Sequence, residues 1–147
     1  MIQRLLLAGI LQVYAFAPLP NPVQWTYFSK RLPDDRFEVY MVASIPQGWH
    51  IYSQANTSAP GPIQFKFFKH PGIRTKGMVK ELNKPAVIKD QFFKTNVKGF
   101  LKKATFVQAL DRKDSLADEI RGMVTFIACN DKDCLPPKTD SFRVDLK

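Results

Sequence analysis

Phe37-Glu38-Val39-Tyr40-Met41-Val42-Ala43-Ser44-Ile45 alternates apolar and more polar residues with a period of two. Phe37, Val39, Met41, Ala43 and Ile45 therefore share one face, as a half-buried strand requires. On either side of it strand-like runs recur, so that the set covers residues 25–32, 36–45, 48–52, 64–69, 75–80, 100–110, 119–129 and 141–147. In the last of these Phe142, Val144 and Leu146 again share a face. Between the runs lie Pro33-Asp34-Asp35, Pro46-Gln47-Gly48, Ala59-Pro60-Gly61-Pro62, His70-Pro71-Gly72 and Leu135-Pro136-Pro137. These are turn signals, since proline sets φ and glycine supplies positive φ. Eleven prolines argue against long helices, and only Ser115-Leu116-Ala117-Asp118 offers the start of a helical turn. About eight short strands at this spacing predict an all-β chain, an antiparallel β-sandwich.

The 147 residues, 45% hydrophobic and 12% aromatic, suit one core better than two. At the start, Arg4, the run Leu5-Leu6-Leu7-Ala8-Gly9-Ile10-Leu11 and Ala15-Phe16-Ala17 fit the three regions of a secretory signal peptide. The expectation is a leader at residues 1–17, cut after Ala17, followed by a single domain at 18–147. The leader's apolar run is shorter than the ~20 residues a membrane-spanning helix needs. Export would allow a cysteine pair to become and stay oxidised. The formal charge of +9 raises the question of an anionic partner. The lysines, among them Lys66, Lys76, Lys84, Lys94 and Lys103, are spread over many segments instead of forming one patch. That distribution speaks against nucleic acid and for a solvated basic surface that steers acidic partners or anionic headgroups.

The only two cysteines stand in Cys129-Asn130-Asp131-Lys132-Asp133-Cys134-Leu135-Pro136-Pro137. As a staple, so short a loop would yield only about 2 kcal/mol, which suggests a redox pair. If the flanking strands are antiparallel neighbours, the sulfurs face each other across a hairpin, and Pro136 and Pro137 stiffen the exit. Asp131 and Asp133 would raise a neighbouring thiol's pKa and Lys132 would lower it. Residue chemistry alone leaves an ordinary disulfide on a non-catalytic binding module equally open. A zinc site of Cys129, Cys134, His50 and His70 has the right ligand count but a spacing that matches no common site, so no metal is expected.

Several stretches then act together: Pro22-Val23-Gln24-Trp25, Gly48-Trp49-His50-Ile51-Tyr52-Ser53-Gln54, Gly61-Pro62, and Val124-Thr125-Phe126-Ile127-Ala128-Cys129 through Cys134-Leu135-Pro136-Pro137. Over nearly all of residues 18–147 the chain resembles the N-terminal periplasmic domain of the thiol:disulfide interchange protein DsbD. The resemblance implies an immunoglobulin-like sandwich in the periplasm that works without a cofactor. It would act as a thiol:disulfide oxidoreductase component, taking electrons from a thioredoxin-like domain and passing them to disulfide-bearing periplasmic acceptors. A membrane electron-transfer protein would be involved only indirectly. Carried onto this chain, Cys129 and Cys134 are the redox pair, with Cys134 forming mixed disulfides and Cys129 resolving them. Asp90-Gln91-Phe92-Phe93-Lys94 corresponds to a cap loop, with Phe92 as the lid over the sulfurs. Tyr52 and His50 fall at the positions of aromatics beside the pair, and Asp90 matches an acidic group near the attacking sulfur. The competing expectation is an immunoglobulin-like binding module with a structural hairpin disulfide.

Overall fold

The computed structural model describes residues 21–57 and 60–147, so the expected leader at 1–17 lies outside the described residues. Strands β1 (Gln24–Leu32) and β2 (Arg36–Ser44) form a hairpin in register from Gln24↔Ser44 to Leu32↔Arg36. Its turn places Asp34 and Asp35 at φ of 62° and 51°, a conformation that aspartate tolerates better than most residues. Strand β2 also pairs with β8 (Lys103–Arg112), and β8 with β5 (Ile73–Glu81), giving a four-stranded antiparallel sheet in the order β1-β2-β8-β5. The alternating face of β2 is the core face: Phe37, Val39, Met41 and Ala43 are all fully buried.

Two smaller antiparallel sheets complete the sandwich. One has the order β11 (Lys138–Asp145), β9 (Glu119–Phe126), β4 (Gln64–Phe67). The other runs β10 (Ala128–Cys129), β3 (His50–Tyr52), β7 (Thr95–Phe100), β6 (Ala86–Asp90). A single apolar cluster joins all three sheets, drawing Phe37 and Phe106 from the first, Phe126 and Phe142 from the second, and Ile51 and Phe100 from the third. Trp25 bridges within it, its ring 5.5 Å from Phe126 and 6.1 Å from Phe106. Each fully buried phenylalanine contributes about 1.5–3 kcal/mol, so these rings dominate the cohesion of the layers.

The structure departs from the expected strands in three places. The run at 100–110 breaks at Leu101-Lys102, where Lys102 takes φ 66°, and its two parts, β7 and β8, lie in different sheets. The run at 119–129 likewise leaves one sheet at Ile127 and enters another as β10. Across Ile127 the alternation of Val124, Phe126 and Ala128 continues, so periodicity carries no mark of that crossing, whereas at the first the adjacent Lys102 and Lys103 interrupt the apolar pattern. The hairpin of β6 and β7 was not anticipated before residue 100, because β6 is mostly exposed and lacks a sustained apolar face. The segment Ser115–Asp118 makes a turn without helix, closed by the Leu116 N–H donating to Asp114 Oδ1 at 2.9 Å.

Candidate functional site

At one end of the sandwich a second apolar cluster of Tyr52, Val97 and Cys129 packs with Ile88, Phe93, Ile127 and Cys134. Strand β3 organises it. Its neighbours set His50 opposite Cys129 on β10 and Tyr52 opposite Gly99 on β7. The β3–β7 approach is so close that a Cβ on Gly99 would lie 2.6 Å from the Ile51 carbonyl oxygen, which is why the position lacks a side chain. The far end of β3 is tied to the opposite layer by Glu81 of β5. Its carboxylate accepts from the Ser53 hydroxyl at 2.9 Å and the Gln54 N–H at 2.6 Å. Glu81 carried no sequence signal, since an acid at a strand end is ordinary until its partners are known.

Cys129 and Cys134 form a disulfide with Cα atoms 4.1 Å apart. Asn130 folds the loop between them, its Oδ1 accepting the Lys132 and Asp133 N–H groups at 2.8 and 2.7 Å. The two cysteines make an isolated antiparallel bridge, and Leu135 N–H donates to the Ala128 carbonyl at 2.9 Å. The sulfurs thus face across a turn as expected, but no strand continues from Cys134. Pro136 and Pro137 have no N–H to extend the ladder, and β11 begins beyond them to pair with β9. Cys129 is 0% exposed, whereas Cys134 is partly accessible.

Beside the buried sulfur the fold gathers His50, Tyr52 and Asp90, which are 6%, 1% and 1% exposed. The Tyr52 hydroxyl lies 2.5 Å from Asp90 Oδ2, 3.0 Å from Cys129 Sγ and 3.9 Å from Cys134 Sγ. A phenol has one proton, and the carboxylate, the stronger acceptor, takes it while the sulfurs are bonded to each other. His50 Nε2 lies 3.1 Å from the same Oδ2 and 3.3 Å from the Tyr52 hydroxyl. The other carboxylate oxygen of Asp90 accepts the Phe93 N–H at 2.7 Å. Burial pushes the Asp90 carboxyl up, but the Phe93 N–H, the Tyr52 hydroxyl and His50 outweigh it and hold the group below the usual carboxylate range. Burial, reinforced by the hydrogen bond to Asp90 and its charge, pushes the Tyr52 phenol above its ordinary range. Asp90 is therefore an anion and Tyr52 a neutral donor at neutral pH.

Asp90-Gln91-Phe92-Phe93-Lys94 is the turn of the β6–β7 hairpin, and it lies against the disulfide. The ring packed on the cysteine cluster is Phe93, not the Phe92 expected as the lid. Phe92 is 54% exposed and rests edge-on against Phe93 at 5.1 Å. The reason is local: the bond from the Phe93 N–H to Asp90 and the positive φ of Lys94 (52°) turn the hairpin so that the second ring points inward. Gln91 is exposed. So are Asp131, Lys132 and Asp133, while Asp90, a residue remote in sequence, is the carboxylate beside the sulfurs. The four-residue zinc set is not assembled. Among the described residues His50, Asp90 and Cys129 come together, and His70 is not with them, its Nδ1 accepting instead from Gly72 N–H at 3.1 Å.

The family described as "Thiol:disulfide interchange protein DsbD, N-terminal" matches residues 18–146. The chain belongs to this family. Solved structures agree on the fold. The N-terminal periplasmic domain of ScsB from Proteus mirabilis is similar at a TM-score of 0.62 and 16% identity, over 84% of this chain and 45% of that one. The chain thus spans under half the length of that relative. The reduced DsbD N-terminal domain of Neisseria meningitidis is similar at 0.53 and 18% identity, over 82% and 84% of the two chains. The same bacterium's DsbD N-terminal domain, solved in complex with the PilB N-terminal domain, is similar at 0.52 and 16% identity, over 87% and 86%. No curated protein matches the chain. An immunoglobulin-like, all-β DsbD N-terminal fold bearing a Cys129–Cys134 disulfide is thereby established.

Proposed function

We propose that this DsbD N-terminal domain is an exported, periplasmic thiol–disulfide exchange module that carries two electrons on Cys129 and Cys134 and needs no cofactor. The supporting observation is the asymmetry of the bridge. One sulfur is sealed among His50, Tyr52 and Asp90, and the other is partly accessible beneath a phenylalanine-bearing turn. A structural disulfide gains nothing from a buried carboxylate and phenol at one of its sulfurs, and burying them has a cost.

In the accepting half-reaction a thiolate of a thioredoxin-like donor attacks Cys134 Sγ, the accessible sulfur. The bond between the two cysteines breaks, its electron pair passes to Cys129 Sγ, and a mixed disulfide joins donor and Cys134. The donor's second thiol, once deprotonated, attacks its own sulfur in that bond and releases Cys134 as a thiolate. Donor disulfide and protein dithiol result. The delivering half-reaction reverses the order: Cys134 attacks the acceptor's disulfide and Cys129 resolves the adduct. Phe93 covers the pair between encounters and moves when a partner docks, which limits wasteful reaction with small thiols and oxidants. That a DsbD N-terminal domain has been solved with a PilB domain supports protein domains as partners for this fold.

The deciding measurement is the reduction potential of the pair, obtained by equilibration in graded thiol buffers and mass-tagging of free thiols. A value within about −120 to −270 mV is expected for an exchange module. A value well below about −300 mV would mark a structural bond and give the lead to the binding-module reading.

A further inference from the structure

When the disulfide opens, Cys129 becomes a thiolate in a place with no exposed surface, 0% accessible. Desolvation makes an anionic sulfur there costly, so a proton has to reach it without help from bulk water. The Tyr52 hydroxyl, 3.0 Å from Cys129 Sγ, is in direct hydrogen-bond reach of that sulfur, and its own proton must then be replaced. Behind it stand two atoms, Asp90 Oδ2 at 2.5 Å and His50 Nε2 at 3.3 Å, themselves 3.1 Å apart. Were neither of these two protonated, a nitrogen lone pair would face a carboxylate across a buried hydrogen-bond distance. A neutral imidazole with its hydrogen on Nε2 removes that repulsion, and a second hydrogen on Nδ1 makes an imidazolium beside the buried carboxylate, a charge-assisted pair with one proton to give.

We infer that His50, paired with Asp90, is the proton reservoir of the exchange reaction, supplying Cys129 through Tyr52 when the disulfide is reduced and taking the proton back when it re-forms. The inference rests on the exchange reading above. As the donor's sulfur bonds to Cys134, the electron pair of the broken bond settles on Cys129 Sγ. That sulfur takes the Tyr52 hydroxyl proton, and Tyr52 recovers one from Nε2 of the His50 imidazolium, which is left as a neutral imidazole with its hydrogen on Nδ1. On the return half-cycle Cys129 gives its proton to Tyr52 as it attacks Cys134, and the pair is recharged. His50 does not touch the sulfur and acts through Tyr52, as a positioning and proton-holding residue. Histidine suits the role because it ordinarily changes charge between about pH 5 and 8, where a carboxyl held low, as Asp90 is, has little affinity for a proton. The groups facing His50 are Tyr52 on its own strand, Asp90 at the end of β6 and Cys129 opposite on β10. Lys89 and Lys98 on the adjoining strands β6 and β7 are exposed.

The test is single-turnover reduction of the oxidised protein by dithiothreitol from about pH 5 to 9, bracketing the histidine range, with rates divided by thiolate concentration. For the wild type the corrected rate should fall with rising pH through one inflection, as the reservoir empties. His50→Gln can still hydrogen-bond but cannot hold the proton. It should lose the inflection and run about 100-fold slower on the acid side, the low end for a positioned proton donor. An unchanged profile in His50→Gln overturns the inference. If that variant does not fold, NMR titration of the wild-type His50 ring decides. Different midpoints in the oxidised and reduced proteins are expected, and identical midpoints refute the reservoir. If dithiothreitol leaves the wild-type disulfide intact at every pH, the exchange reading itself fails and the inference with it. Ready reduction with an unaltered His50→Gln profile would sink the inference alone.

Discussion

Asp90 and Phe93 are joined by a 2.7 Å bond from the Phe93 N–H to Asp90 Oδ1, so one carboxylate holds both the turn that covers the sulfurs and, through Oδ2, the phenol that touches them. The cover and the proton-bearing groups are thereby one mechanical unit, and displacing the turn also loosens the hold on Tyr52. The choice of inward ring follows from this bond. Phe93→Ala should speed reduction of the disulfide by glutathione several-fold and cost about 1–2 kcal/mol for a half-buried ring. Phe92→Ala, truncating a ring that is more than half exposed, should change neither by much. Paired glutathione kinetics on the two variants checks the assignment, and the reverse order would return the lid to Phe92.

Asp90 also predicts an acid dependence of stability. Its carboxyl is held below the ordinary range in the folded protein, so it stabilises the fold fully above about pH 4. That contribution drains away as pH falls through the depressed folded value, because protonation then forfeits the bonds from Phe93, Tyr52 and His50. Asp90→Asn should cost about 2 kcal/mol at pH 7, the worth of a buried hydrogen bond to a charged group. Urea unfolding at neutral pH and near pH 3 should show the gap between variant and wild type narrowing in acid.

Gly99 offers a structural test of how finely β3 is placed. A methyl group there would meet the Ile51 carbonyl at 2.6 Å, a backbone atom that cannot swing aside. Gly99→Ala should therefore push β3 from β7, destabilise the domain by about 1–3 kcal/mol and shift the Tyr52 ring resonances. A variant with wild-type stability and spectra would mean that the strands part more easily than this spacing implies.

The unequal exposure of the two sulfurs predicts that Cys134 attacks and Cys129 resolves. Cys129→Ser should leave Cys134 able to attack and unable to be released, so that a mixed disulfide with a model disulfide-bearing protein accumulates and survives on a non-reducing gel. Cys134→Ser should accumulate little, since its remaining thiol is sealed. Equal trapping by both variants would contradict the assignment.

Strand patterning was legible wherever one face is buried and the other wet, as in β2, because the pleat forces apolar side chains onto alternate residues. The cysteine loop and the His50–Tyr52 pair were legible too, through local spacing and through resemblance to the DsbD N-terminal family. Where a strand changes sheet at Ile127, the alternation of Val124, Phe126 and Ala128 runs on unbroken, so local order could not show the crossing, while at Leu101-Lys102 the paired lysines Lys102 and Lys103 do interrupt the apolar pattern. The contacts of Asp90 with His50 and Tyr52 join residues 40 and 38 positions apart, and the tie from Glu81 to Ser53 spans 28. Such distances are closed only by the pairing of β3 with β7 and β6 with β7 and by the stacking of layers. Residue chemistry thus specified a β-sandwich and a closely spaced cysteine pair, and resemblance to the DsbD N-terminal family carried the reading of that pair beyond a staple. Which sulfur is sealed, which phenylalanine covers it and which acid and imidazole stand behind it were settled by packing, because burial and hydrogen-bond geometry belong to surfaces brought together from distant parts of the chain.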